Sequence, residues 1–143
     1  MTRRKYLQAA ALLISASLAL GTLAQTVSPA PAKVVFQISD SDAASWNLAL
    51  NNVKNVQHEL GAAHVQIEMV VYGPGIGMVR DDALSANRVT EAVQSGVQIL
   101  VCENTMTGLQ LTPADMHPLV GYVKAGVVQL MKRQAEGWAY IRP

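Results

Sequence analysis

Apolar and polar positions follow two periodicities from Lys33 to the end of the chain. An apolar run rich in β-branched residues at Lys33–Ser39 predicts a strand that is buried on both faces, as in a parallel sheet. Further strands are predicted at His64–Tyr72, Val97–Cys102, Leu119–Val123 and Trp138–Pro143. Between the first two strands, apolar residues recur every three or four positions from Trp46 to Leu60, which is the spacing of one helix face.

Helix boundaries are marked by capping residues. Ser39–Asp42 supplies N-cap candidates and negative charge for the helix that follows, and Gly61 is suited to end it. Two more helices are predicted at Ser85–Gln94 and Gly126–Glu136, the second ended by Gly137. Thr112–Asp115 has the form of a compact helix start, with a threonine cap followed by proline.

The alternation of strands and helices predicts an α/β domain in which helices cover both faces of a parallel sheet. In such folds the functional crevice lies at the carboxyl ends of the strands. Three segments that follow predicted strands therefore become candidates, and all three are expected to be loops: Ser39–Asp42, Gly73–Gly77 and Cys102–Gly108.

Residues 1–24 have the three-part layout of an export signal. A basic head of Arg3, Arg4 and Lys5 precedes an uncharged stretch, and small residues at Thr22 and Ala24 predict cleavage before Gln25. The stretch is also borderline in length for a membrane anchor, but its Ala, Ser and Gly content and the cleavage site favour removal. We therefore expect a periplasmic protein without a stable membrane anchor after cleavage.

The paired arginines of Thr2–Gln8 resemble a twin-arginine signal, which would export the protein already folded. An ordinary secretory head that contains two arginines is the alternative. Residues 25–32 hold two prolines and small residues, so they are interpreted as a short linker, and residues 33–143 as the folded domain.

Composition narrows the class of protein. The 143 residues are 50% apolar and 15% charged, which suits one compact domain and excludes a disordered chain. Three of the 11 basic residues and none of the 10 acidic ones lie in residues 1–24, so the remainder has a formal charge of −2. This charge gives no reason to bind nucleic acid or anionic lipid.

Cys102 is the sharpest candidate for chemistry, and it is the one cysteine of the sequence. It ends the third predicted strand, and Asn104 or Thr105 could cap a short helix whose N–H groups would stabilise a thiolate. Glu103 opposes this, because an adjacent carboxylate disfavours a second negative charge. From the residues alone, a buried cysteine that acts as a small apolar side chain remains the alternative.

The other candidate motifs are weaker. Gly73, Gly75 and Gly77 lack the spacing of a phosphate-binding loop, so a sharp turn beside the Cys102 crevice is predicted. The histidines at 58, 64 and 117 share no ligand spacing, so neither a metal site nor a cofactor is expected.

Three stretches in order resemble the DsrE/DsrF-like family over nearly all of residues 33–143. They are Val71–Ile76, Gly96–Thr105 and the ending from Ala125–Val128 through Gln134–Pro143. The resemblance implies a three-layer α/β/α fold with a five-stranded parallel sheet, and assembly into homo-oligomers. In members that relay sulfur, the cysteine at the position of Cys102 carries a persulfide, which implies sulfur donor and acceptor proteins as partners.

The first hypothesis is therefore a periplasmic sulfur-handling protein with Cys102 as carrier. Asn104 and Thr105 would help to place donor N–H groups, and Gly73 and Gly75 would shape the crevice. Two alternatives stay open. One is a non-catalytic oligomeric subunit or small-ligand-binding module with a structural Cys102; the other is a redox sensor in which Cys102 forms a sulfenic acid.

Overall fold

A five-stranded, fully parallel sheet is the centre of the fold. The computed structural model describes residues 30–143. Its strands are β1 (Ala32–Ile38), β2 (Val65–Val71), β3 (Gln98–Cys102), β4 (Gly121–Val123) and β5 (Ala139–Ile141). They lie in the order β4-β3-β2-β1-β5, and every pairing is parallel. The predicted fold class and its five parallel strands are confirmed.

Helices connect the strands and cover both faces of the sheet. They are α1 (Ala43–Leu60), α2 (Ala86–Gln94), α3 (Glu103–Gly108) and α4 (Gly126–Ala135), with 3₁₀ helices at Ala62–His64, Gly73–Val79 and Pro113–Asp115. Right-handed crossovers place α1 and α2 on one face, because β1, β2 and β3 step in one direction across the sheet. The return from β4 to β5 places α4 on the other face.

Alternating residues of β1 and β2 divide the core between the two faces. Phe36 and Met69 belong to the large cluster that also contains Leu50 of α1 and Val89 of α2. Val35 and Val70 join a smaller cluster against α4, formed with Leu130 and Trp138. Since neighbouring residues point to opposite sides, β1 and β2 are buried on both faces, as their apolar runs predict.

The predicted caps explain the ends of α1. The Asp42 carboxylate accepts a hydrogen bond of 2.8 Å from the Ser45 N–H, which is the N-cap arrangement. Gly61 follows the helix with φ of +83°, a conformation that glycine adopts without a side-chain clash. Leu60 is the exception in the predicted apolar face, because it is 49% exposed at the end of the helix.

Four segments differ from their predicted form. Gly73–Gly77 is part of a 3₁₀ helix that continues to Val79, and residues 103–108 form α3, so neither segment is the expected loop. The fourth and fifth strands are shorter than predicted. Only Gly121–Val123 pairs with β3, and only Ala139–Ile141 pairs with β1.

No helix within residues 30–143 has the length and apolar character needed to cross a membrane. The predicted signal peptide at residues 1–24 and residues 25–29 of the predicted linker lie outside the described part of the chain.

Candidate functional site

Cys102 lies at the carboxyl edge of the sheet, where β3 and β4 end side by side. Its register partner in β4 is Val123, so the segment that leads into α4 passes directly beside the thiol. The side chain is 5% exposed. Parallel pairing thus brings together two chain segments that are distant in sequence.

The thiol is held by the backbone of that neighbouring segment. The Gly126 N–H, at the start of α4, donates a hydrogen bond to Cys102 Sγ at 3.3 Å. The Lys124 carbonyl oxygen lies 3.9 Å from the same sulfur and accepts from the S–H of the neutral form. The site therefore has an acceptor for the protonated sulfur and a donor for the ionised one.

A second helix also begins at Cys102. The cysteine occupies the N-cap position of α3, with extended backbone angles, and the helix starts at Glu103. The expectation that Asn104 or Thr105 would be the cap is therefore wrong. The reason is that the Asn104 N–H donates to the Lys124 carbonyl at 3.2 Å, which ties the first turn of α3 to the end of β4.

Thr105 links the Cys102 segment to the end of β2. Its Oγ1 accepts a hydrogen bond of 2.9 Å from the Gly73 N–H. Gly73 has φ of +53°, so a glycine is favoured where the chain turns to offer that N–H. Because the hydroxyl oxygen accepts from Gly73, the Thr105 O–H remains free to donate, and the hydroxyl lowers the pKa of Cys102.

Burial and hydrogen bonding have opposite effects on the ionisation of Cys102, and together they favour the thiolate. Burial raises the pKa of Cys102, but the hydrogen bonds oppose it and prevail. The Gly126 N–H acts most strongly, followed by the Thr105 hydroxyl and the N–H groups of Thr105 and Asn104. The pKa of Cys102 is consequently held below its ordinary value. Glu103 itself is exposed to solvent.

Gly75 lies in the first turn of the 3₁₀ helix and packs against the end of β1. A Cβ atom at this position would lie 2.3 Å from the Ile38 carbonyl oxygen, so only glycine fits there. The structure thus brings Gly73, Thr105 and Asn104 around Cys102, while Gly75 holds the 3₁₀ helix close to the sheet.

The sequence did not reveal that Gly126 donates a hydrogen bond to the Cys102 thiol, or that Tyr72 packs against Gly126. A Cβ atom on Gly126 would lie 3.1 Å from Tyr72 Cδ1, so the absence of a side chain lets α4 approach the end of β2. The signal in the sequence is a glycine at the predicted start of a helix, a position where glycine is not otherwise needed.

Within residues 30–143, no three His, Cys, Asp or Glu side chains lie close enough together to hold a metal ion.

The conserved protein of unknown function BT1422 from Bacteroides thetaiotaomicron has the same fold as this chain. It is 15% identical, with a TM-score of 0.62 over 78% of this chain and 94% of that chain. Among curated proteins none matches.

The chain is more similar to the protein of unknown function MTH1491 from Methanobacterium thermoautotrophicum than to BT1422. That structure is 36% identical, with a TM-score of 0.75, and the match covers 78% of this chain and 99% of that one. The model of the DsrE/DsrF-like family matches residues 32–143, which include every strand and helix of the domain. The chain therefore belongs to the DsrE/DsrF-like family.

Proposed function

We propose that this protein carries sulfane sulfur as a persulfide on Cys102 and passes it to an acceptor thiol. Membership of the DsrE/DsrF-like family suggests a role related to sulfur relay. The observation that carries the proposal is the Cys102 thiol itself, whose pKa is lowered by N–H groups at the starts of two helices. A stabilised thiolate is the nucleophile that this chemistry needs.

The proposed cycle is two thiol exchange reactions. The Cys102 thiolate attacks the outer sulfur of a donor such as thiosulfate, so that a new S–S bond forms and sulfite leaves with the electron pair of the broken bond. The thiolate of an acceptor then attacks the outer sulfur of the persulfide. Cys102 leaves as a thiolate, and no net oxidation or reduction of the protein occurs.

The burial of the thiol sets a size limit on the donor. With 5% of the side chain exposed, only small sulfur compounds reach Sγ without displacing α3 or the start of α4. A persulfide adds one sulfur atom at an S–S distance of about 2.05 Å, which extends the reactive end beyond Sγ by that length. Loading from a small molecule and unloading to a protein thiol are therefore compatible with the same cysteine.

We further propose that the mature protein acts in the periplasm, after removal of residues 1–24, as a homo-oligomer. The basic head, the uncharged stretch and the small residues before Gln25 support export. N-terminal sequencing of the protein from a periplasmic fraction tests this part. A chain that begins at Gln25 supports it, and an uncleaved chain in the cytoplasm or membrane contradicts it.

Intact mass spectrometry of the reduced domain tests the sulfur chemistry. The wild-type protein and Cys102→Ser are exposed to polysulfide and, separately, to thiosulfate, and an acceptor thiol is added afterwards. We expect one added sulfur atom that the acceptor removes, and none in the variant. A Cys102→Ser protein that still gains sulfur, or a wild-type protein that gains none, contradicts the proposal.

A second candidate function is favoured by the outer surface of α4. Val127, Val128 and Met131 of this helix are 51%, 59% and 67% exposed, which leaves an apolar strip on the solvent side. Such a strip suits a non-catalytic subunit whose function is its oligomer interface, with Cys102 as a structural residue. In that case Cys102 resists alkylation in the folded protein, while disruption of the strip abolishes assembly.

A further inference from the structure

A cavity of about 240 Å³ lies on the side of the molecule where α1 and α2 begin. Its walls come from the first turns of both helices, from the turn that precedes α2 and from the 3₁₀ helix at Gly73–Val79. It is smaller than the roughly 300–1,000 Å³ of pockets that hold drug-sized ligands, so it suits a small molecule.

The walls of this cavity are mainly apolar. Trp46 and Leu84 line it, and Leu84 is fully exposed, at 105% of the reference area. Leu84 therefore offers apolar surface at the edge of the cavity, and a ligand that covers it gains the free energy of removing that surface from water. Gly77 lines the cavity as well, and a Cβ atom there would lie 2.8 Å from the Trp46 ring, so glycine leaves room for the indole.

One cation lines the cavity beside these apolar groups. The Arg88 guanidinium donates to the Asn47 Oδ1 at 2.5 Å and to the Asn51 Oδ1 at 2.7 Å, so two neutral amides orient it. Among residues 30–143, no carboxylate oxygen lies within 4.0 Å of it. Glu91, one helix turn away, pairs with Lys54 instead, at 2.8 Å.

We propose that this cavity binds a small organic monocarboxylate with a short apolar body. The body packs against Trp46 and Leu84, and the carboxylate binds Arg88, whose planar donors suit that group. The charge of Arg88 selects an anion, and the apolar walls select against fully polar anions. The site is separate from the Cys102 site, because neither Cys102 nor Thr105 nor Gly126 lines this cavity.

Benzoate and benzyl alcohol are matched probes, because they share an aromatic body and differ in charge. Binding is followed by NMR through the indole N–H signals of the two tryptophans of the chain. We expect benzoate to shift the Trp46 signal saturably, to leave Trp138 unchanged and to bind about tenfold more tightly than benzyl alcohol.

Three variants separate the contributions of charge and of apolar contact to the binding of the two probes. Arg88→Gln is expected to reduce benzoate affinity to that of benzyl alcohol, and Leu84→Ser to weaken both probes alike. Lys132→Gln removes an exposed cation of α4 that does not line the cavity, and it should leave binding unchanged. Equal benzoate affinity in wild type and Arg88→Gln, or no saturable shift of Trp46 up to the solubility of benzoate, overturns the proposal.

Discussion

The Gly126 N–H donates to the Cys102 sulfur across 3.3 Å, although the two residues are 24 positions apart. The pairing of β3 with β4 creates this contact, because Cys102 and Val123 share a register position at the end of the sheet. The thiol thereby meets the N-terminus of α4 in addition to that of α3. The positive ends of both helices favour the thiolate, even though the side chain is buried.

Gly126→Ala is expected to slow the reaction of Cys102 with a small alkylating reagent. The added Cβ would lie 3.1 Å from Tyr72 Cδ1, so the ring or the start of α4 has to shift by a few tenths of an ångström. We expect this shift to weaken the hydrogen bond from the N–H of residue 126 to sulfur. Loss of one such hydrogen bond predicts a rate at neutral pH that is roughly fivefold lower. The measurement is the pseudo-first-order alkylation rate by mass spectrometry.

Gly108→Ala is the matched control for this change, because a Cβ atom at Gly108 meets nothing within 4 Å. It should react like the wild type. Equal rates in all three proteins would show that the Gly126 N–H does not govern the thiol.

Thr105→Val is expected to reduce the fraction of Cys102 that is ionised at neutral pH, through loss of a side-chain hydroxyl. Valine keeps the shape of threonine but removes the hydroxyl that lowers the pKa of Cys102 and accepts from the Gly73 N–H. The pKa of Cys102 should rise, and transfer of sulfur from polysulfide should slow by roughly fivefold. Thr107→Val, an exposed position of the same helix, should leave the transfer rate unchanged.

The lowered pKa of Cys102 predicts a pH dependence of both reactivity and stability. The midpoint of the alkylation–pH profile should lie at a lower pH in the folded protein than in urea, where a cysteine has a pKa of about 8.5. A depressed folded pKa stabilises the fold above the unfolded pKa, and this stabilisation is lost as the pH falls through the folded pKa. The stability difference between wild type and Cys102→Ala should therefore grow with pH over that range; a constant difference contradicts the assignment.

The strands and the start of α1 could be predicted from the sequence, because they depend on residues that are close together in the chain. The apolar runs locate the strands because both faces of the sheet are covered, and Asp42 marks the start of α1 because capping is a local interaction. Residues 103–108 are expected to be a loop that follows the third strand, although Asn104 or Thr105 could cap a short helix there. Their helix depends on the tertiary bond from the Asn104 N–H to Lys124.

Long-range contacts were the part that sequence patterns did not reveal. Gly126 looks like an ordinary helix start until β3 pairs with β4. Glu68 was not predicted as a core residue, since a single carboxylate within an apolar strand gives no indication of its partners. In the structure its side chain is fully buried, and its partners are 61 and 65 positions away.

Glu68→Gln is expected to destabilise the domain. The Glu68 carboxylate accepts from Gln129 Nε2 at 2.8 Å and from Arg133 at 2.7 and 2.9 Å. The amide of glutamine keeps one oxygen that can accept from Arg133, but it is neutral, so Arg133, which packs over Trp138, loses the charge of its buried partner. The NH2 group of the amide would then face the Gln129 Nε2 donor. Urea unfolding should show a loss of about 2–3 kcal/mol. The exposed Glu59→Gln is the control, and an equally small effect of both changes would refute the importance of this network.

The apolar strip on α4, formed by Val127, Val128 and Met131, predicts which surface mediates self-association. Met131→Glu places a charge at the most exposed of these positions, 67% open in the single chain, so burial of the strip against a second copy becomes unfavourable. Light scattering after size exclusion should then give the mass of one chain, whereas the wild type gives a multiple of it. Leu48→Glu, at a 49% exposed position of α1 on the opposite face, should leave the assembly intact. If Leu48→Glu dissociates the oligomer and Met131→Glu does not, the interface lies on the α1 side of the sheet. A wild-type protein that is monomeric at all concentrations removes both the interface and the candidate role as an oligomeric subunit.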